Sequence, residues 1–183
     1  MLYPSIEDNI SPNAVVAVLG KPETIIAFLE YLLFFDMSKL QSDIKETIYQ
    51  EAIFKIKKPE SEINFDKISN ILYDIFENWN FCGFYIKNGN ELEISSYKAD
   101  QIPCSPINMN GVCGKSILSN NTIIVPNVNE FPGHIECDPN SKSEIAIPFS
   151  NYVLDIDSKE FDDFDEIDEK YLKKIIDLII VWF

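Results

Sequence analysis

The chain has 183 residues and a formal net charge of −15, and its fifteen basic residues are all lysines. The length suits one well-packed domain of mixed α and β structure with a small helical annex. The charge argues against nucleic-acid and anionic-membrane partners, which need clustered basic groups, and the lack of arginine removes the bidentate fork that clamps phosphate.

Residues 1–20, with Pro4, Pro12 and Gly20, read as an extended lead-in. Met1–Ser5 lacks the basic start and apolar block of a secretory leader, so a cytoplasmic setting is expected. Ile25, Phe28, Leu29, Leu32 and Leu33 predict a helix over 21–35, a stretch too short to span a bilayer. Ser38 with Gln41 predicts a capping box that opens a second helix, striped by Leu40, Ile44, Ile48, Ala52 and Ile53. Residues 1–60 are thus expected to form an N-terminal helical extension, with 57–62 as its linker. The apolar stripes of that extension, notably Phe28, Leu32 and Phe35, are expected to pack on the domain or to join two copies as a homodimer.

The remaining chain, 61–183, opens with a third helix carrying Ile68, Ile71, Leu72, Ile75, Phe76 and Trp79 on one face. The period then changes to two. Segments 82–87 and 91–97 flank Asn88-Gly89, a hairpin signal because that pair accepts the positive φ angles of a tight turn. A polar loop leads to a short helix over 111–118, a strand over 122–125 and a long loop over 127–140. Strands over 144–149 and 152–156 follow, and Asp165 caps a last helix striped by Ile167, Tyr171, Leu172, Ile175, Ile176 and Ile179. This order describes an α+β layer fold: an antiparallel sheet with helices on one face and a small-molecule pocket formed by loops on the other.

Four cysteines in a reducing compartment point to metal binding or redox chemistry rather than structural disulfides. Cys82 lies in an apolar strand and reads as core; Cys104, Cys113 and Cys137 lie in or beside Pro- and Gly-rich loops. A Cys₃His zinc set with His134 is an alternative, although the cysteine gaps are wider than the close pairs of zinc modules. Asp155 and Asp157 alternate with Leu154 and Ile156, so both carboxylates point to one sheet face, and Glu144 opens the neighbouring strand. Such a cluster suits an ammonium group or a general acid with a raised pKa, with a metal as the other option.

Several segments together resemble the free methionine-(R)-sulfoxide reductases, which are GAF-fold enzymes. They are Asn80-Phe-Cys-Gly-Phe-Tyr85, Gly111-Val-Cys-Gly114, Val125-Pro-Asn-Val128, Phe131-Pro-Gly-His-Ile-Glu-Cys-Asp138, Ser141-Lys-Ser-Glu-Ile145 and Val153-Leu-Asp-Ile-Asp-Ser158. The resemblance covers about residues 66–183. It implies a GAF-like antiparallel sheet, no cofactor, Cys137 as the catalytic cysteine, Cys104 as the resolving one and Cys113 as an accessory third. It further implies that Glu144, Asp155 and Asp157 hold the substrate, that Tyr85 walls the pocket, and that Phe81 stands where the family has a tryptophan. The implied substrate is free methionine-(R)-sulfoxide and the implied reductant a thioredoxin-type dithiol. The alternative reading is a non-catalytic GAF-like binding or regulatory module that uses the same pocket for a small ligand. Relative to the family, the Cys104–Cys113 segment is one residue shorter, with Asn110 near an expected glycine, and the hairpin between Pro148 and Val153 is cut short.

Overall fold

Between Pro22 and Lys57 the sequence contains no glycine, and its one proline stands at the first helical position, where a missing N–H costs nothing. In the computed structural model, which describes residues 22–58, 63–134 and 136–180, this stretch is a single 36-residue helix, α1 (Pro22–Lys57). The two helices expected there are therefore one. Ser38 opens no second helix; its carbonyl accepts a hydrogen bond from Ser42 Oγ at 3.0 Å inside the continuous helix. The chain divides into two units between Ile44 and Lys45. In the first unit Leu33, Phe34, Met37, Leu40 and Ile44 are exposed. The side chains of Phe28, Leu32 and Phe35, on which the packing expectation rested, lie outside the described residues.

The second unit begins within α1. It continues with α2 (Phe65–Ile75), β1 (Trp79–Asn88), β2 (Glu91–Ala99), β3 (Ile107–Asn108) and α3 (Val112–Ser119). β4 (Ile123–Val125), a 3₁₀ turn (Val128–Glu130), β5 (Ser143–Phe149), β6 (Tyr152–Ser158) and α4 (Glu166–Ile180) follow. Among the described residues the six strands form one sheet in the order β3-β2-β1-β6-β5-β4, with antiparallel neighbours throughout. This is the antiparallel α+β sheet that the periodicities predict, and the Asn88-Gly89 hairpin falls where expected. Strand β6 holds the central position between β1 and β5.

Alternation along the strands gives the sheet two unlike faces. Cys82, Phe84, Ile145, Ile147, Leu154 and Ile156 face one side, where Tyr49, Ala52 and Ile56 of α1, Ile68 and Leu72 of α2, and Leu172, Ile175 and Ile179 of α4 cover them. Phe81, Tyr85, Ala146 and Val153 face the other, against Met109, Val112, Cys113 and Val128. A register shift between Trp79 and Phe81 lets Trp79 stay with the helix-side core while Phe81 turns to the opposite face. The short turn at 150–151, with Ser150 at φ 52°, preserves the pairing of Phe149 with Tyr152 and of Pro148 with Val153. The shortened hairpin therefore still sets β6 in register.

The helix-side core is fastened by one buried ionic cluster. Lys45 Nζ donates to Asp168 Oδ2, to Asp165 Oδ2 at 3.0 Å and to the Asp163 carbonyl at 2.8 Å. Tyr49 OH donates to Asp168 Oδ1 at 2.6 Å, and Asp168 also accepts from the Asp165 N–H, while Asp165 Oδ1 caps Ile167 N–H at 2.6 Å. The Asp168 side chain is fully buried. Lys45→Ala should therefore leave a buried carboxylate short of its cation and cost about 3 kcal/mol, read by denaturant unfolding. A loss near zero would show that the cluster does not fasten α1 to α4.

Candidate active site

On the face opposite α1, α2 and α4, the period of two brings three carboxylates together. Glu144 on β5 pairs directly with Asp157 on β6, and Asp155 lies two residues along the same strand and pairs with Ala146. Glu144 is 5% exposed and Asp155 7%. They line a cleft together with Asn80, Phe81, Tyr85, Cys113, His134, Cys137 and Asp157.

The structure separates Cys82 from the other three cysteines. Cys82 is enclosed in the helix-side core. Cys104, in the loop after β2, and Cys137, in the loop before β5, are joined by a disulfide with Cα atoms 5.6 Å apart. While that bond is closed, neither thiol can join a Cys₃His zinc set. Cys113 stands in the first turn of α3, buried, with its thiol 3.7 Å from Glu144 Oε1. His134 Nδ1 lies 3.6 Å from the other Glu144 oxygen.

Local structure explains each placement. Tyr85 OH donates to the Cys104 carbonyl at 3.0 Å, so the aromatic wall also holds the cysteine loop. A Cβ on Gly83 would lie 2.6 Å from Phe81 Cζ and 2.9 Å from Tyr97 Cβ; the missing side chain lets the Phe81 ring lie across the strand. Gly133 has φ +88°, and a Cβ there would press on the Asn110 carbonyl at 2.8 Å, so the loop entering Cys137 depends on glycine for its approach to 110.

The Cys137 loop is anchored on its far side by a buried polar chain. Asn80 Nδ2 donates to Asp138 Oδ2 at 2.8 Å and to Ser141 Oγ at 2.9 Å, and Ser141 Oγ donates to Asp157 Oδ2 at 3.1 Å. Asn80 Oδ1 and Asp155 Oδ1 are buried and have no hydrogen-bond partner.

No family model matches the chain. Among curated relatives it is 41% identical over 121 residues to GAF domain-containing protein A of Dictyostelium discoideum, covering 61% of this chain and 76% of that protein. It is 35% identical over 114 residues to the free methionine-R-sulfoxide reductase of Escherichia coli, covering 59% and 68%. The structure of the Staphylococcus aureus fRMsr in complex with substrate superimposes with a TM-score of 0.62 at 34% identity, over 74% of this chain and 92% of that one. The chain belongs to the free methionine-R-sulfoxide reductase family. Its fold is the GAF fold.

Within this family member, the residues singled out from sequence all border the same cleft or its disulfide: Phe81, Tyr85, Cys104, Cys113, Cys137, Glu144, Asp155 and Asp157. The sequence marks His134 only as an alternative zinc ligand, and Asn80, Asp138 and Ser141 stand in the family segments without a role of their own. Asn80 sits in an apolar strand next to a register shift, and a buried polar residue in such a run is the signal that could have found it.

Burial sets the electrostatics. Removal from water, and then the neighbouring Asp157 charge, pushes Glu144 up to about 8. Burial and the Glu144 charge push Asp155 well above the carboxylate range, and burial with the Asp155 charge does the same to Asp157. Burial also raises the Cys113 thiol, with Asp155 and Glu144 adding to it, while burial lowers His134. Near neutral pH the cluster therefore holds protons that the unfolded chain would release. Stability from these groups is complete below the ordinary carboxylate range and is lost as pH rises through the raised values. The melting temperature should fall from about pH 5 to about pH 9, and Asp155→Asn should flatten that slope and raise the melting temperature at the alkaline end. Parallel profiles for the two proteins would contradict this account.

Proposed function

We propose that the chain reduces free methionine-(R)-sulfoxide to methionine, with Cys137 as the attacking thiol and Cys104 as the resolving one. The observation that carries this reading is the Cys104–Cys137 disulfide bordering a cleft that contains two buried carboxyl groups, Glu144 and Asp155, and the half-buried Asp157. A sulfoxide reductase needs both features: a thiol pair to take up oxidation, and an acid beside the sulfoxide oxygen.

The Cys137 thiolate attacks the sulfoxide sulfur while a carboxylic acid of the Glu144–Asp155–Asp157 cluster delivers a proton to the oxygen. The oxygen passes to Cys137, which becomes a sulfenic acid, and methionine leaves reduced by two electrons. The Cys104 thiol then displaces water from the sulfenic acid to form the disulfide. A thioredoxin-type dithiol reopens it by exchange and is itself oxidised. The ammonium group of the free amino acid is the cation that repays the burial of the remaining carboxylates. A peptide-bound methionine has no charge at that nitrogen and gains nothing from them. Phe81 and Tyr85 supply an aromatic wall for the thioether end, and Cys113 stays in reserve beside Glu144 as an accessory thiol.

Cys137→Ser should abolish methionine release from the (R)-sulfoxide, whereas Cys104→Ser should release one equivalent and then stop. Single-turnover release with each stereoisomer of the free amino acid, followed by cycling with dithiothreitol and with thioredoxin, makes the comparison. Release that survives Cys137→Ser would sink this mechanism and favour a module that only binds the amino acid.

The first unit supports a homodimer. Leu33, Met37, Leu40 and Ile44 are each more than half exposed and recur with the 4-3-4 spacing of a coiled-coil seam. Leu40→Asp should convert a dimer to a monomer in sedimentation; a wild-type protein that sediments as a monomer would end the idea.

A further inference from the structure

The thiol of Cys113 takes no part in the oxidation cycle proposed above, yet it is buried in direct contact with the carboxylates. Ligand atoms of Cys113, Glu144 and Asp155 all lie within 4.8 Å of one another. Two tetrahedral zinc ligands, one sulfur and one oxygen, stand about 3.5 Å apart at ordinary bond lengths. Cys113 Sγ and Glu144 Oε1 are 3.7 Å apart, and His134 Nδ1 is 3.6 Å from Glu144 Oε2. The Cys113–Glu144 pair is thus already within a few tenths of an ångström of that spacing. Asp155 Oδ1, buried in the same place, has no hydrogen-bond partner and is left as an open acceptor.

We propose that Cys113, Glu144 and Asp155, with His134 turning in as a fourth donor, form a site for a thiophilic divalent cation of the zinc class that shuts the cleft to substrate. A thiolate, an imidazole and two carboxylates select zinc or cobalt(II) over calcium or magnesium, which take oxygen donors alone. Because the same carboxylates receive the substrate ammonium, the cation and the amino acid exclude one another; this competition, unlike the metal site itself, rests on the reductase reading. No electron is transferred, so the inhibition is reversed by a chelator. It differs from oxidation of the Cys104–Cys137 pair, which a thiol reverses. The redox pair is not needed for metal binding, since the three ligands converge while the disulfide is closed.

The test uses the full chain with its disulfide intact, so that Cys113 and the enclosed Cys82 are the free thiols. Cobalt(II) titration should give a thiolate charge-transfer band and tetrahedral ligand-field bands that saturate at one equivalent. Zinc should bleach them and calcium should not. Cys113→Ser should abolish the charge-transfer band, and Glu144→Gln should weaken cobalt binding by about tenfold or more, since even outer-shell changes cost that much. Circular dichroism and retention of the disulfide confirm that each variant is folded. No saturable band, or a band undiminished in folded Cys113→Ser, overturns the site. In turnover assays of the reduced enzyme, zinc should raise KM for the sulfoxide without lowering kcat. Cobalt bands from a protein with no turnover would support the site and count against the reductase reading alone.

Discussion

Gathering three carboxyl groups on one sheet face, with Glu144 and Asp155 buried and Asp157 half-buried, is the constraint around which the rest of the molecule is arranged. Left unpaired, such groups are among the least favourable contents of a protein interior, and they persist only because the surrounding structure gives them no alternative. Strand β6 carries two of them at the centre of the sheet, hydrogen-bonded on both sides, so neither can swing out to solvent without breaking strand pairing. The opposite face of the same strand buries Leu154 and Ile156 under three helices. The helix-side core thus stabilises the strand, and the strand holds the acids. The Lys45–Asp168–Tyr49 cluster, although it lies away from the cleft, contributes by tying α1 to α4.

Much of this was legible in the residues. The alternation Val153, Leu154, Asp155, Ile156, Asp157 fixes which side chains share a face whatever the neighbours do, because the strand period is two. The Asn88-Gly89 turn likewise sets the β1–β2 hairpin by itself. What could not be read depended on partners distant in sequence. Ser38 with Gln41 has the local chemistry of a helix start, but a continuing helix also satisfies those residues, and nothing in the neighbouring sequence breaks it. The role of Asn80 arises from a one-residue register shift against β6, a property of two strands more than sixty residues apart. His134 gains its place beside Glu144 only after the loop at Gly133 has folded against 110.

The cleft also shows how one scaffold separates two kinds of sulfur. Cys82 and the Cys104–Cys137 pair belong to the same 139-residue unit, yet the sheet lies between them. Burial pushes the Cys82 thiol far above the range in which a thiolate forms. Oxidants and exchanging thiols therefore meet only the loop cysteines.

The disulfide closes a loop of 33 residues that contains α3, β4 and the 3₁₀ turn. Tying the ends of a loop of that length restricts the unfolded chain by about 3–4 kcal/mol, a sizeable share of the stability of a domain this size. In the proposed reductase cycle the disulfide form, which waits for electrons, is thus the sturdier one, and the reduced form, which meets the next substrate, is the more fragile. A cell short of reducing power would store this protein in its heat-resistant state. Restoring that power would loosen the fold at the moment it returns the molecule to work.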